Sequence, residues 1–242
     1  MPASVQKVSV GDAEMSAYVN VPEGEGPFPA MVVIHHAPGV DMFVRDIVDG
    51  LAREGYVAAA PDLFHRITDE MVEQTGRSKR DQLSDPDIVA DVDATVDMLR
   101  SHALVDRERL GVTGFCMGGR VVWLAACTNS HFKAAVPFYG GNIMVPWGAG
   151  DVAPFALAEG ITCPMLFHFG EIDANPSPED MRTLDHELTR LGKEHRFYSY
   201  PGADHAFMNR YMPQRHHRTS AELAWARTRE FLAERLQPAA VG

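Results

Sequence analysis

Leu110-Gly111-Val112-Thr113-Gly114-Phe115-Cys116-Met117-Gly118-Gly119-Arg120 is the stretch on which the reading of this chain turns. Leu110 to Thr113 is a short β-branched and apolar run, as expected of a strand, and Gly119 to Cys127 is an apolar run of helical character. Between them lies G-x-C-x-G, the cysteine form of the nucleophile elbow. A turn that tight brings the residues two positions either side of its apex into collision, and Gly114 and Gly118 remove the side chains that would collide. The apex residue is lifted above the sheet at a helix N-terminus. Free N–H groups and the helix dipole there favour a thiolate and, later, an oxyanion. Cys116 is therefore the candidate nucleophile. A buried, inert cysteine between packing glycines is the competing reading, and the residues downstream decide between the two.

Working outward, the elbow sits in a strand-helix alternation. Val8, Val10 and the Gly11-Asp12 turn, followed by alternating Met15, Ala17, Val19 and Val21, predict an N-terminal β-hairpin. Ala30 to Ile34 is a continuous apolar run, the pattern of a strand buried on both faces. Val44, Ile47, Val48 and Leu51 follow at helical spacing, with Gly55 as the stop. Tyr56 to Ala60 is a strand ended by Pro61-Asp62. Pro86 opens a helix with a stripe at Ile88, Val89, Val92, Val96 and Leu99. Ala134 to Phe138, Met165 to Gly170 and Phe197 to Tyr200 are further strands. A helix from Ser177 to Gly192 and a last one from about Ser220 complete the alternation. The expected fold class is α/β: the α/β-hydrolase fold, a mostly parallel sheet with helices on both faces and an N-terminal hairpin. Residues 1–236 are expected to form a single domain, and 237–242 a loose tail.

In that fold the nucleophile is followed in the chain by an acid and then a histidine. Glu171-Ile172-Asp173 follows the Met165 to Gly170 strand, and Asp173, at the end of the turn, is the preferred acid, with Glu171 second. His205 lies in the loop after the last strand, at the edge where parallel sheets place ligands. The chain has eleven histidines, so order and loop position single this one out, not its mere presence. His205 would take the Cys116 proton or hold an ion pair with its thiolate, and Asp173 would fix the tautomer. An oxyanion hole needs two donors. Met117 N–H is one; the other should come from His35-His36-Ala37-Pro38-Gly39, where Pro38 has no N–H and the choice narrows to His36 or Ala37.

Composition sets outer limits. The chain has 242 residues and a formal net charge of −11, which disfavours nucleic acid and anionic membranes as partners. Cys116, Cys127 and Cys163 are odd in number and lack C-x-x-C spacing, so neither a disulfide framework nor a zinc knuckle is expected. His35, His36 and His65 carry no supporting acidic spacing, and no metal or cofactor is expected. No signal peptide or membrane span is read, and the cytoplasm is the expected location.

Together these segments resemble the dienelactone hydrolase family, over nearly the whole chain. The resemblance is carried by Pro61-Asp62-Leu63-Phe64, Gly114-Phe115-Cys116-Met117-Gly118-Gly119, Phe138-Tyr139-Gly140-Gly141, Gly170-Glu171-Ile172-Asp173 and Tyr200-Pro201-Gly202-Ala203-Asp204-His205-Ala206-Phe207. It implies a Cys116-His205-Asp173 triad, Ala37 and Met117 as oxyanion donors, and cofactor-free hydrolysis of a lactone. Two positions depart from the pattern. Studied members have a Glu where this chain has His36, and an Arg for the substrate carboxylate where this chain has Asn209, with Arg210 beside it. His36, Arg66, Tyr139 and Asn209 are carried as substrate-binding candidates, and Arg66, Lys79 and Arg80 as carboxylate partners. His36 is expected to line the pocket and to tune substrate choice or pH dependence; a packed His36 under the loop is the other reading. The expected partner is a small ester or lactone. The alternatives are a general small-ester hydrolase, a hydrolase-fold ligand-binding protein without turnover, and a redox-sensing thiol.

Overall fold

The computed structural model describes residues 3–237. Eight strands form one sheet in the order β1-β2-β4-β3-β5-β6-β7-β8. β1 (Ser4–Val10) and β2 (Ala13–Asn20) make the hairpin, and β2 continues antiparallel onto β4 (Val57–Pro61). From there β4, β3 (Phe28–Ile34), β5 (Val105–Phe115), β6 (Phe132–Phe138), β7 (Met165–Gly170) and β8 (His195–Tyr200) run parallel.

The apolar run of β3 explains how the layers form. Ala30, Val32 and Ile34 belong to one core and Met31 and Val33 to the other, because successive side chains of a strand point to opposite faces. One face packs under α1 (Met42–Arg53) and α6 (Arg218–Leu236), through residues such as Val44, Val48, Ala224 and Leu232. The other packs under α3 (Asp85–Ser101), α4 (Met117–Thr128) and α5 (Pro178–Arg190), through Ile88, Val92, Val121 and Leu184. Helices over both faces of a largely parallel sheet define the α/β-hydrolase architecture anticipated above.

One α-helix and the short 3-10 helices Arg80–Gln82 and Pro154–Gly160 were not anticipated. α2 (Asp69–Thr75) buries no residue and so has no hydrophobic stripe to read. Its signals are polar: the Thr68 side chain caps Met71 N–H, and Asp69 and Glu70 lie in its first turn. At the other end of the chain Gln237 closes α6, its N–H donating to Ala233 O; the rest of the expected tail lies outside the described residues. No helix among the described residues is long and apolar enough to cross a membrane.

The parallel topology positions the site. Ile34, Pro61, Phe115, Phe138, Gly170 and Tyr200 all end their strands at one edge of the sheet. The segments after them, 35–40, 116–118, 139–147, 171–177 and 201–217, therefore gather there.

Candidate active site

Cys116 joins β5 to α4 with φ +57° and ψ −120°, a conformation that non-glycine residues rarely adopt. Backbone bonds hold it: its N–H donates to Phe138 O at 3.1 Å, and its carbonyl accepts from Gly119 N–H at 2.9 Å. The glycines are needed for contact, since a Cβ on Gly114 would lie 2.4 Å from Gly118 O and one on Gly118 would lie 2.5 Å from Ile34 O. The elbow is thus pressed between its own first helical turn and the end of β3.

His205 Nδ1 lies 2.8 Å from Asp173 Oδ2. With Nδ1 committed to the carboxylate, the other ring nitrogen is the one left for Cys116, which lines the same cavity. Asp173 is buried at 4% exposure, and its second oxygen accepts Asn175 N–H at 2.8 Å. Glu171 turns away, accepting from Gly202 N–H at 3.2 Å, so the turn brings Asp173 and not Glu171 to the histidine. The ring of Tyr139 stands edge-on to His205, with centroids 5.1 Å apart.

The electrostatics favour charge separation. Burial alone would lower the His205 pKa, but the Asp173 carboxylate, which accepts from it, and the Cys116 thiolate beside it outweigh burial and carry it up to about 10. Burial likewise opposes a Cys116 thiolate. The His205 hydrogen bond and charge, Met117 N–H and the more distant Arg80 outweigh it and bring the thiol below its ordinary value. Cys127 and Cys163 have no such partners, and burial pushes both up to about 12.

Cys116, Met117, Asp173 and His205 open onto a cavity of about 280 Å³. Arg80 and Arg215 both line it. Arg80 is steadied by Asp81 at 2.6 Å, and Arg215 by Asp204, the residue before the histidine, at 2.5 Å. Asn142 and Trp147 form another wall. That wall is tied to the elbow helix by Arg120, the last residue of the stretch with which the sequence reading began. Its guanidinium is fully buried, pairs bidentately with Asp85 at 2.6 and 2.9 Å, and donates to Asn142 O and Val145 O. Trp147 stacks 3.9 Å from its charge centre, and Trp147 N–H reaches Asp85 as well.

Other candidates lie elsewhere. His36 is 4% exposed and absent from the cavity lining; its Nε2 lies 2.9 Å from Asp41 Oδ2, beside Phe43. It is packed beneath its loop and not in the pocket. Arg66 is engaged by buried Asp91 at 2.7 and 2.8 Å, together with His65. Lys79 pairs with Asp69 at 2.7 Å and, like Ala37, lines a neighbouring cavity of about 650 Å³. Asn209 is buried, its Oδ1 capping Tyr211 N–H, and Arg210 turns outward to Asp46. Arg215, Trp147, Asn142 and Asn175 were missed by the sequence reading. They come from long loops whose paths no periodicity describes, although a Trp between Pro146 and Gly148 in a loop is itself an unusual placement.

The elbow between a parallel strand and its helix, with an Asp-held histidine from later loops at the same sheet edge, makes this an α/β-hydrolase. Comparison with known proteins narrows the class. The Dienelactone hydrolase family profile matches residues 15–236, and the chain belongs to that family. A Synechocystis protein named "Putative carboxymethylenebutenolidase" is 32% identical over 203 residues, covering 80% of this chain and 81% of that one. A Bradyrhizobium protein named "Probable 2-oxo-3-(5-oxofuran-2-ylidene)propanoate lactonase" is 30% identical over 224 residues, covering 89% and 88%. A crystal structure from Klebsiella pneumoniae, titled as a "Putative Dienelactone Hydrolase", superposes with a TM-score of 0.85 at 29% identity, covering 97% of this chain and 100% of that chain. As a member of this family the protein is a carboxylic ester or lactone hydrolase.

Proposed function

We propose that the protein opens a small lactone, or cleaves a related ester, that carries a carboxylate, using Cys116 as nucleophile, His205 as acid and base, and Asp173 to hold His205. The observation that carries this reading is that Cys116, at the apex of the elbow, and His205, held through Nδ1 by Asp173 at 2.8 Å, line one cavity that also holds Arg80 and Arg215.

The Cys116 thiolate attacks the carbonyl carbon, and the π electrons move to the oxygen. Met117 N–H meets the resulting oxyanion, with Ala37 N–H in the second donor role. Collapse re-forms the carbonyl and breaks the ring C–O bond. The departing alkoxide takes the proton of the His205 imidazolium, leaving a thioester on Cys116 and neutral His205. Water then gives a proton to His205 as it attacks the thioester, and the thiolate leaves. The products are a hydroxy acid and the starting ion pair. Asp173 accepts from Nδ1–H throughout, so that the nitrogen facing Cys116 is the one that exchanges protons.

Arg80 and Arg215 supply the anion recognition. The family's Arg position after the histidine is Asn209 here, and Arg215, ten residues beyond His205 in the chain, reaches the cavity instead. The Bradyrhizobium relative's name describes a lactone bearing a propanoate, in keeping with such a pair. A working thiolate needs a reducing compartment, and the three free cysteines fit the cytoplasm.

A panel of lactones and aryl esters, with and without a carboxylate, assayed with wild type and Cys116→Ala tests the proposal. Turnover that favours carboxylate-bearing members and disappears in Cys116→Ala is expected. Turnover retained by Cys116→Ala would remove Cys116 from the mechanism.

A further inference from the structure

Beyond Asn142 and Asn175 lies a second, smaller cavity of about 160 Å³. It shares Gly141, Asn142 and Asn175 with the cavity at Cys116, so the two adjoin along that edge. Apart from Asp180, the rest of its side-chain lining is apolar: Ile143, Met144, Val145, Pro176 and Leu184. One acidic residue, Asp180, stands in its wall; its Oδ2 accepts both the N–H and the hydroxyl of Ser177 at 2.8 Å in the capping box of α5, which commits that oxygen to the start of the helix.

The shared edge is narrow and built for close approach. Asn142 N–H donates to Asn175 Oδ1 at 3.3 Å, a long bond. A Cβ on Gly141 would stand 2.3 Å from Asn175 Oδ1, so the bare glycine is what lets that side chain lie against the wall. Behind the wall, Arg120 donates to the carbonyls of Asn142 and Val145. The two cavities thus lie back to back across the Asn142–Asn175 edge, one lined beside the thiol by Arg80 and by Arg215 with its partner Asp204, the other lined mainly by apolar side chains.

We infer that the pocket formed by Ile143, Met144, Val145, Pro176 and Leu184 is a subsite for a short apolar substituent of the substrate, so that the preferred substrate is an anionic lactone or ester with an alkyl or alkenyl branch. This rests on the placement of the reaction at Cys116 argued above and adds the apolar half of the substrate to it. Burial of a methylene in such a subsite strengthens binding by up to about 4-fold. The gain ends when the pocket is full, because a longer chain must displace packed side chains.

The test uses covalent probes that need a reactive thiol but no turnover: iodoacetamide and a series of N-alkyl iodoacetamides from methyl to octyl, with each rate at Cys116 divided by the rate with free glutathione. In wild type the ratio should climb with chain length, by 10-fold or more in total on the order of two buried methylenes, and then turn over. Met144→Lys, at a position already 39% exposed and so tolerant of a charge, should flatten the series once each rate is divided by that variant's own iodoacetamide rate. Leu184→Ala, which enlarges the far end, should shift the maximum to longer chains. A reactive Cys116 with a flat series in wild type, or a Met144→Lys series like wild type, would overturn the subsite alone. A Cys116 unreactive even to iodoacetamide would overturn the nucleophile assignment, and the subsite as part of a reaction with it.

Discussion

At the scale of single residues, half-buried His205 and fully buried His168 have opposite fates, set by their neighbours. His205 faces a carboxylate and a thiol and is held protonated. His168, at 0% exposure on β7, is held neutral, its pKa lowered to about 3 by burial and by the nearby Arg227 charge. Thr228 donates its hydroxyl proton to Ala224 O, so its oxygen accepts from His168 Nε2–H, and Nδ1 is left to accept the Tyr200 O–H. A second ring proton would face a hydroxyl already arranged to donate. For His205 the expected consequence is catalytic: Asp173→Asn, which keeps the shape but loses the charge, should lower kcat by roughly 10²–10⁴-fold with an unchanged circular dichroism spectrum. A loss under 3-fold in a hydrolysis assay would show that His205 does not depend on Asp173. His36, tucked against Asp41 and Phe43, has no such part to play. His36→Gln should lower Tm by a few degrees and leave the pH–rate profile unmoved; a shifted limb on any active substrate would return His36 to the pocket.

At the scale of elements, the elbow, the turn after β7 and the loop after β8 were legible because their chemistry demands residue types in a fixed order along the chain. Gly114 and Gly118 are required by backbone approaches of 2.4 and 2.5 Å, and such requirements leave a mark in sequence. The substrate walls left less. Arg80 was a cationic candidate by charge and does line the cavity, but Arg215 and Trp147 reach it from loops, and what fixes them is tertiary: Asp204 and the Arg120–Asp85 pair. The choice of Asn209 and Arg66 followed chain position and charge, whereas their side chains found partners that sequence spacing cannot reveal. Arg120 gives this scale its prediction. It joins α4 to the N-terminus of α3 and to the 142–147 wall through a pair with almost no exposure. Removing one member strands a buried charge, so Arg120→Met should destabilise by about 3–5 kcal/mol in urea unfolding. Arg120→Met with Asp85→Leu, which removes both charges, should recover part of that loss. A double variant less stable than the single one would mean that the pair's charge is not what holds the wall.

For the whole molecule, the sheet was readable because β3, β4, β6, β7 and the second half of β5 carry apolar runs, the pattern that a parallel sheet covered on both faces imposes. α2, lying on the surface with no buried residue, was not. Global stability should carry the signature of His168 at the junction of β7, β8 and α6. Its folded pKa lies below that of an unfolded histidine, so between about 6.5 and 3 the unfolded chain binds the extra proton. Stability is full above the unfolded pKa and declines as pH falls through that window. Comparing wild type with His168→Gln by urea titration at pH 7 and pH 4.5 should give a smaller pH-dependent loss in the variant, and equal losses would assign acid sensitivity to other groups. The central claim concerns a covalent intermediate on one of three cysteines, and rapid quenching with intact and peptide mass spectrometry addresses it most directly. With an aryl ester of a short carboxylic acid, a mass increase equal to the acyl group should appear on the peptide containing Cys116, persist longer in His205→Ala if it forms there, and be absent from Cys116→Ala. An active enzyme that never carries the acyl group on Cys116, or carries it on Cys127 or Cys163, would contradict the account.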